Sequence, residues 1–256
     1  MEKPKRIKLS NGRRLVDEVI RSGGKMTMAT YARDFDLTEL CKLRKRAKPR
    51  IDWNVIYMKA YAIIARDFPQ LRQCYVGFPW PYAYQYEKNV ALITLSREHD
   101  GEDRLLFARF NQPEGDSLVE LQRKFDSLRR SPVLEVKQFR KQIRFANLPY
   151  PVRRLTWWML FNLFPRKRLN IFGTFGMTIS RFRDAHLTTN ALGPNTTILG
   201  IDVLPTNGIA RFTLTFDHQI LDGAPVLNLI HSVYQTLTGA IADELAGLEG
   251  PRPRGP

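Results

Sequence analysis

Between Phe212 and Phe216 the chain alternates Phe, Thr, Leu, Thr, Phe, a period of two with aromatic and β-branched members that predicts a strand. The period then changes. After Asp222-Gly223-Ala224-Pro225, apolar residues recur at helical spacing (Val226, Leu229, Ile230, Val233, Leu237) and stop at Gly239, where a helix C-cap belongs. His218 falls in phase with the apolar face, at the junction of strand and helix. The same patterning elsewhere predicts a helix over Leu15–Ile20 with Ser10 or Asn11 as cap and a strand over Met26–Phe35. It also predicts a helix over Thr38–Ala47 with Thr38 as N-cap, and another over Trp53–Asp67 that Phe68-Pro69 ends. A Pro-rich turn is expected in Gly77–Tyr84, strands at Val90–Leu95 and Leu105–Phe110 around a hairpin loop Glu98–Asp103, and a helix at Ser117–Arg129. Strands ending at Ser180 and near Thr196–Val203, separated by a polar loop Arg181–Asn195, complete the pattern. No internal repeat and no Gly-rich phosphate loop is present.

Composition adds size and charge. At 256 residues, with 43% hydrophobic and 11% aromatic content, the chain can bury a sizeable core, and one domain over residues 1–240 is the simplest division. Residues 241–256, ending in GLEGPRPRGP, are expected to be a disordered tail. A net charge of +15 calls for an anionic partner: a phosphate-bearing cofactor, an acidic protein, a membrane surface or nucleic acid. Most of the surplus lies between Arg123 and Arg168, where 13 Lys or Arg stand against two acids, Asp126 and Glu135. Inside it, Tyr150–Arg168 sets two tryptophans among Phe, Leu and Met between basic clusters. Such a segment is either a buried helix with solvated ends or an interfacial helix lying in an anionic membrane surface.

No apolar run reaches the ~20 residues of a spanning helix. The basic N-terminus precedes no apolar h-region and is not a secretory signal. Cys41 and Cys74 form neither a C-x-x-C nor a metal spacing, which fits a reducing compartment. The expected location is therefore cytoplasmic, peripheral on the inner membrane surface if Tyr150–Arg168 meets lipid. Nucleic-acid binding is disfavoured because no helix-turn-helix, zinc or RNA-binding signature accompanies the charge.

At the strand–helix junction an imidazole suits general base work, since its unperturbed pKa lets it take and return a proton near neutral pH. Asp222 at the helix start would orient rather than react, its carboxylate accepting first-turn N–H groups as an N-cap. On spacing alone the plainer assignment prevails: a hydrogen-bonded core histidine and an ordinary cap.

A resemblance reverses this. Asp217-His-Gln-Ile-Leu-Asp-Gly223-Ala-Pro-Val226 is similar to the His-x-x-x-Asp-Gly motif of the 2-oxo-acid dehydrogenase complex acyltransferase catalytic domain, which shares its fold with chloramphenicol acetyltransferase. Gly173-Thr-Phe-Gly-Met-Thr-Ile-Ser180 resembles that family's Gly-Thr-Phe-Thr-Ile-Ser strand, and Pro194-Asn-Thr-Thr-Ile-Leu-Gly200 its Pro-x-x-x-Ile-Leu-Gly segment, in the same order. A weaker likeness at Phe35–Leu40 extends the match to about residues 8–239.

The resemblance implies an α/β, two-layer sandwich with a mixed sheet and helices packed on it. It implies acyl transfer from a thioester to a thiol, hydroxyl or amine. His218 would be general base, Ser180 would bond the oxyanion, and Asp222 with Gly223 would hold the loop. Thr197 would support the intermediate, unless it is only a strand former, and Arg14 or Arg13 would pair with Asp222. A homotrimer is implied, with His218 and Asp222 of one subunit facing Ser180 of the next. No metal is called for.

The chain shows no lipoyl and no subunit-binding domain, so the expected donor is separate: coenzyme A by preference, an acyl carrier protein, or a lipoyl group on another chain. The basic, aromatic stretch over 145–168 reads as an insertion relative to the family. Ser180-Arg-Phe-Arg-Asp184 and Ala29-Thr-Tyr31 depart from the family's Ser-Asn-Leu-Gly and Pro-His-Phe, so the resemblance does not carry the family's substrate over. The competing classes are a non-catalytic assembly subunit and a basic membrane- or nucleic-acid-binding protein.

Overall fold

In a computed structural model the chain is described over residues 28–180, 195–202 and 208–249. The expected helix Leu15–Ile20, Arg13, Arg14, residues 181–194 of the polar loop and the tail from Gly250 lie outside the described residues. Strand β1 (Met28–Asp36) leads into helices α1 (Thr38–Arg46) and α2 (Trp53–Asp67). A short hairpin of β2 (Gln73–Val76) and β3 (Tyr82–Gln85) precedes a long one of β4 (Val90–His99) and β5 (Glu102–Asn111). Helices α3 (Leu118–Arg130), α4 (Lys137–Ala146), α5 (Tyr150–Asn162) and α6 (Pro165–Phe172) follow, then β6 (Phe175–Ile179), β7 (Thr197–Ile201), β8 (Ile209–Asp217), α7 (Gly223–Thr238) and α8 (Ala240–Ala246).

Six strands form one mixed sheet in the order β1-β8-β7-β6-β4-β5, with β4, β6 and β7 parallel and the other pairings antiparallel. With its helices the sheet makes the expected α/β sandwich. Helix α2 lies at the centre of the core, buried continuously from Val55 to Ala62, which is why its sequence reads apolar on every side. It starts where Asp52 accepts the Asn54 N–H at 2.9 Å. Helix α3 begins with a reciprocal capping box between Ser117 and Glu120.

The β5 edge is closed by side chains. Gln142 of α4 accepts the Phe107 N–H at 3.0 Å and donates to the Phe107 carbonyl at 2.7 Å, and Gln138, one turn earlier, accepts the Arg109 N–H at 3.0 Å. Two glutamines thereby pair backbone groups that would otherwise template another strand.

Several expectations are corrected. Thr38 is the first helical residue of α1, not its cap; Leu37 holds the cap position, and the Asp36 carboxylate accepts the Thr38 N–H at 2.9 Å. The polar segment Glu98–Asp103 is mostly strand, because the hairpin runs past the core, and only Asp100-Gly101 turns, both at positive φ. The Pro-rich turn occupies only Gly77–Pro81, between β2 and β3.

Residues 241–249 are not disordered. Helix α8 buries Ile241 and Leu245, Glu244 pairs with the buried Lys59 at 2.5 Å while accepting the Leu118 N–H at 2.7 Å, and Glu249 bridges to Ala47. The segment lies beyond Gly239, where the apolar stripe of the preceding helix stops, and is too short for periodicity to mark it as core.

Leu245→Ala is therefore expected to cost about 3 kcal/mol in urea denaturation, the cost of a core cavity, whereas a disordered tail would give no change.

Candidate active site

The site is built on β8. Its nine residues pair with β1 and its C-terminal half with β7, so Phe212, Leu214 and Phe216 are locked in the core and the chain emerges at Asp217. Asp217 makes the turn that follows: its carbonyl accepts the Ile220 and Leu221 N–H groups at 3.1 and 3.0 Å, and its Oδ1 accepts the Gln219 N–H at 3.0 Å. His218 rides on this turn. Its ring lies 5.7 Å from that of Phe216, which in turn stacks on Tyr31 at 5.9 Å.

The His218 side chain is 45% exposed and that of Asp222 86%, and Nδ1 of His218 lies 3.8 Å from Oδ1 of Asp222. His218 is thus not a core histidine. Asp222 occupies the N-cap position of α7 with extended backbone, but its side chain makes no capping hydrogen bond. The expected cap is corrected: the carboxylate faces the imidazole instead, which turns the other ring nitrogen, Nε2, away from it.

Gly223 has a specific reason to be glycine, since a Cβ there would stand 2.6 Å from the Tyr31 hydroxyl. The ring of Tyr31 stacks on Phe216, so making room there disturbs that stack.

Two buried ionisable side chains, Asp217 and Arg168, bear on the corner. Burial pushes the Asp217 carboxyl above its usual value, against the Gln219 N–H and the positive charge of Arg168, which favour the ionised form. Its Oδ2 has no hydrogen-bond partner among the described residues. Arg168, on α6, is only 1% exposed, donates to the Tyr75 carbonyl at 3.1 Å and lies 4.5 Å over the Phe161 ring. The sequence signal for these two residues was available only in part: Asp217 directly precedes His218, but nothing local relates it to an arginine 49 positions earlier.

Thr197 opens β7 opposite Phe216, at the histidine end of the sheet. It is fully buried, and its hydroxyl accepts from Tyr61 at 2.9 Å; burial pushes the Tyr61 phenol up, so it remains a donor. Ser180 is elsewhere. It follows β6 at the opposite end, its N–H donating to the Ile201 carbonyl at 2.9 Å, and Ile201 pairs with Phe212. From Phe212 to His218 is six residues of β8 and its turn, roughly 20 Å at strand rise. One chain brings together His218, Asp222, Gly223 and, behind them, Thr197, but not Ser180. Among the described residues no group of three or more His, Cys, Asp or Glu could hold a metal ion, and both cysteines are free thiols.

The mixed six-stranded sheet and its helices define the fold as chloramphenicol acetyltransferase-like, the fold of acyltransferase catalytic cores. The chain is similar to a dihydrolipoamide acetyltransferase of Azotobacter vinelandii (14% identity, 93% of this chain and 94% of that one, TM-score 0.66) and to a probable dihydrolipoamide acetyltransferase of Listeria monocytogenes (16% identity, 92% and 94%, TM-score 0.65). It is similar also to chloramphenicol acetyltransferase, at 11% identity over 93% of this chain and all of that one, with a TM-score of 0.53. No family model and no curated protein matches the sequence. At these identities the likeness is one of fold.

Gly223→Ala is expected to destabilise the protein by about 1–3 kcal/mol through overpacking against Tyr31, and Tyr31→Phe in the same chain to recover most of that loss. A thermal or urea double-mutant cycle measures it; additive losses would show that the hydroxyl is not what the glycine accommodates.

Proposed function

We propose that the chain is an acyltransferase that moves an acyl group from a thioester, coenzyme A by preference, to a thiol, hydroxyl or amine, and that it works as a homotrimer. The observation that carries this reading is His218, exposed at a strand–helix corner with Asp222 on its Nδ1 side. The Azotobacter enzyme's serine, histidine and asparagine have roles in its catalytic mechanism, its asparagine standing four residues after the histidine, the spacing of Asp222 from His218.

In this mechanism Nε2 of His218 takes the proton of the acceptor as the acceptor's lone pair attacks the thioester carbonyl. The tetrahedral oxyanion accepts a hydrogen bond from a serine hydroxyl, a contribution of roughly 3 kcal/mol. Collapse breaks the C–S bond, and the leaving thiolate takes the proton back from the imidazolium. The separation along β8 supports taking that serine as Ser180 of a second subunit, which in this reading completes the site that His218 begins. The charge of +15 favours a phosphate-bearing donor, with an acyl carrier protein or a lipoyl group on another chain as the other sources, and a cytoplasmic setting is part of the proposal. Arg14 or Arg13 is assigned to Asp222.

His218→Ala is expected to lower acyl transfer by about two to four orders of magnitude, read as free thiol released from acyl-coenzyme A, with the fold retained. Mixing subunits tests the shared site. His218→Ala and Ser180→Ala chains, each inactive alone, should on reassembly regain about a quarter of wild-type activity, because random assortment gives that share of sites an intact histidine and serine from different copies. No recovery would refute a site shared between subunits, full activity of His218→Ala would remove His218 as the base, and absence of thiol release by the wild-type chain would leave a non-catalytic assembly subunit as the better reading.

A further inference from the structure

The basic, aromatic stretch is divided by the fold. Trp157 is 5% exposed and packs among Phe145, Phe161 and Phe172, with ring centroids 5.8, 5.7 and 4.8 Å away. Arg153 and Arg168 also turn inward, Arg153 donating to the Ala146 and Leu148 carbonyls at 3.1 and 3.3 Å. Neither alternative drawn from the sequence holds for the whole segment, and Arg153 and Arg168 cannot meet a surface.

The other side of α5 is exposed and apolar. Leu155 and Trp158, three residues apart on one face, stand 58% and 45% exposed. A second element joins them: Phe78, in the turn between β2 and β3, sets its ring 5.5 Å from that of Trp158, and Trp80 beyond it is 78% exposed. A contiguous exposed cluster of this kind, drawn from two distant segments, marks an interaction surface.

Its rim is basic. Arg154 is bonded to the Tyr150 hydroxyl at 2.7 Å, Arg166 to the Tyr84 hydroxyl at 3.0 Å, and Lys167 lies 4.6 Å over the Phe164 ring. From Lys137 to Phe172 the sequence holds nine Lys or Arg and no Asp or Glu.

We propose that this surface docks on an anionic lipid bilayer, with Trp80, Phe78, Leu155 and Trp158 at headgroup depth and Arg154, Arg166 and Lys167 against the lipid phosphates. The charge selects the occupant. A second copy of the chain meeting the same face would bring two predominantly basic rims together, whereas an anionic lipid surface complements them. Tryptophan and phenylalanine flanked by arginine and lysine suit the interface between headgroups and acyl chains. No described helix is long and apolar enough to cross a membrane, so α5 lies along the surface. The inference does not rest on the acyltransferase reading.

The test uses the intact protein with phosphatidylcholine vesicles that do or do not contain phosphatidylglycerol. The protein is expected to co-sediment with the anionic vesicles at low salt, to be released as salt is raised, and to show a blue shift of tryptophan emission on binding. Arg154→Gln, Arg166→Gln and Lys167→Gln should each weaken the apparent partition about fivefold. The pair Trp80→Ser and Trp158→Ser should weaken it more than about tenfold with far-UV circular dichroism unchanged. Failure to bind anionic vesicles at low salt would overturn the proposal, as would undiminished binding by the double tryptophan variant. A changed sedimentation coefficient for that variant in the absence of lipid would overturn it too, by showing that the patch is a contact between subunits.

Discussion

The pairing of β8 on both sides is the constraint on which the rest of the molecule depends. Nine residues of β8 register with β1 and five with β7, and the strand is buried from Phe212 to Asp217. Because side chains alternate, a slip of one residue would exchange the two faces of the strand and unseat Phe212, Leu214 and Phe216 together. The register therefore fixes where the chain leaves the sheet, and so where His218 stands. It also fixes where Ser180 stands, since β6 is aligned with β7 and β7 with β8. The same hydrogen bonds that expose the histidine at one end of the sheet hold the serine at the other. A site that uses both residues is a property of an assembly and not of the chain.

Elements with a long, clean period were legible in the sequence. Helix α2 runs Trp53–Asp67 as expected, and α7 ends at Gly239 because five apolar residues mark one face to its last turn. What escaped depended on distant partners. Gln138 and Gln142 look like ordinary polar helix positions until β5 is placed beside them, and Ile241 and Leu245 look like isolated hydrophobes until the pocket around them exists. The site divides the same way. His218, Asp222, Ser180 and Thr197 were reached by resemblance to a family motif, and Gly223 with them. Tyr31, Asp217 and Arg168 were missed as supports, because each acts across strands or between layers.

The stretch Tyr150–Arg168 shows why neither composition nor periodicity settles orientation. Adjacent residues of the same kind part company: Arg153 is buried and Arg154 is exposed, and Trp157 is buried and Trp158 is exposed. What orients the helix is the stack of Trp157 on Phe172, a residue of the next helix, and the carbonyls at the end of α4 that accept from Arg153. Guanidinium groups with several fixed donors suit such sites, where carbonyls rather than carboxylates are the partners. The outward tryptophan then follows from helix geometry, 100° round from the inward one.

The inward half of this stretch also carries a charge felt at the turn under His218. Arg168 is held by the Tyr75 carbonyl and the Phe161 ring, and its charge acts on Asp217, the residue whose carbonyl and carboxylate shape the turn under His218. A carboxylate pushed upward by burial is costly to keep ionised, and a nearby fixed cation that cannot deprotonate is the group that lowers the cost. Helix α6 thus contributes a buried positive charge that favours the ionised form of Asp217, while the helix before it presents the aromatic face. The most basic segment of the chain divides between burying Arg153, Trp157 and Arg168 and exposing Arg154 and Trp158, and the division is made by which side of a single tryptophan pair meets the core.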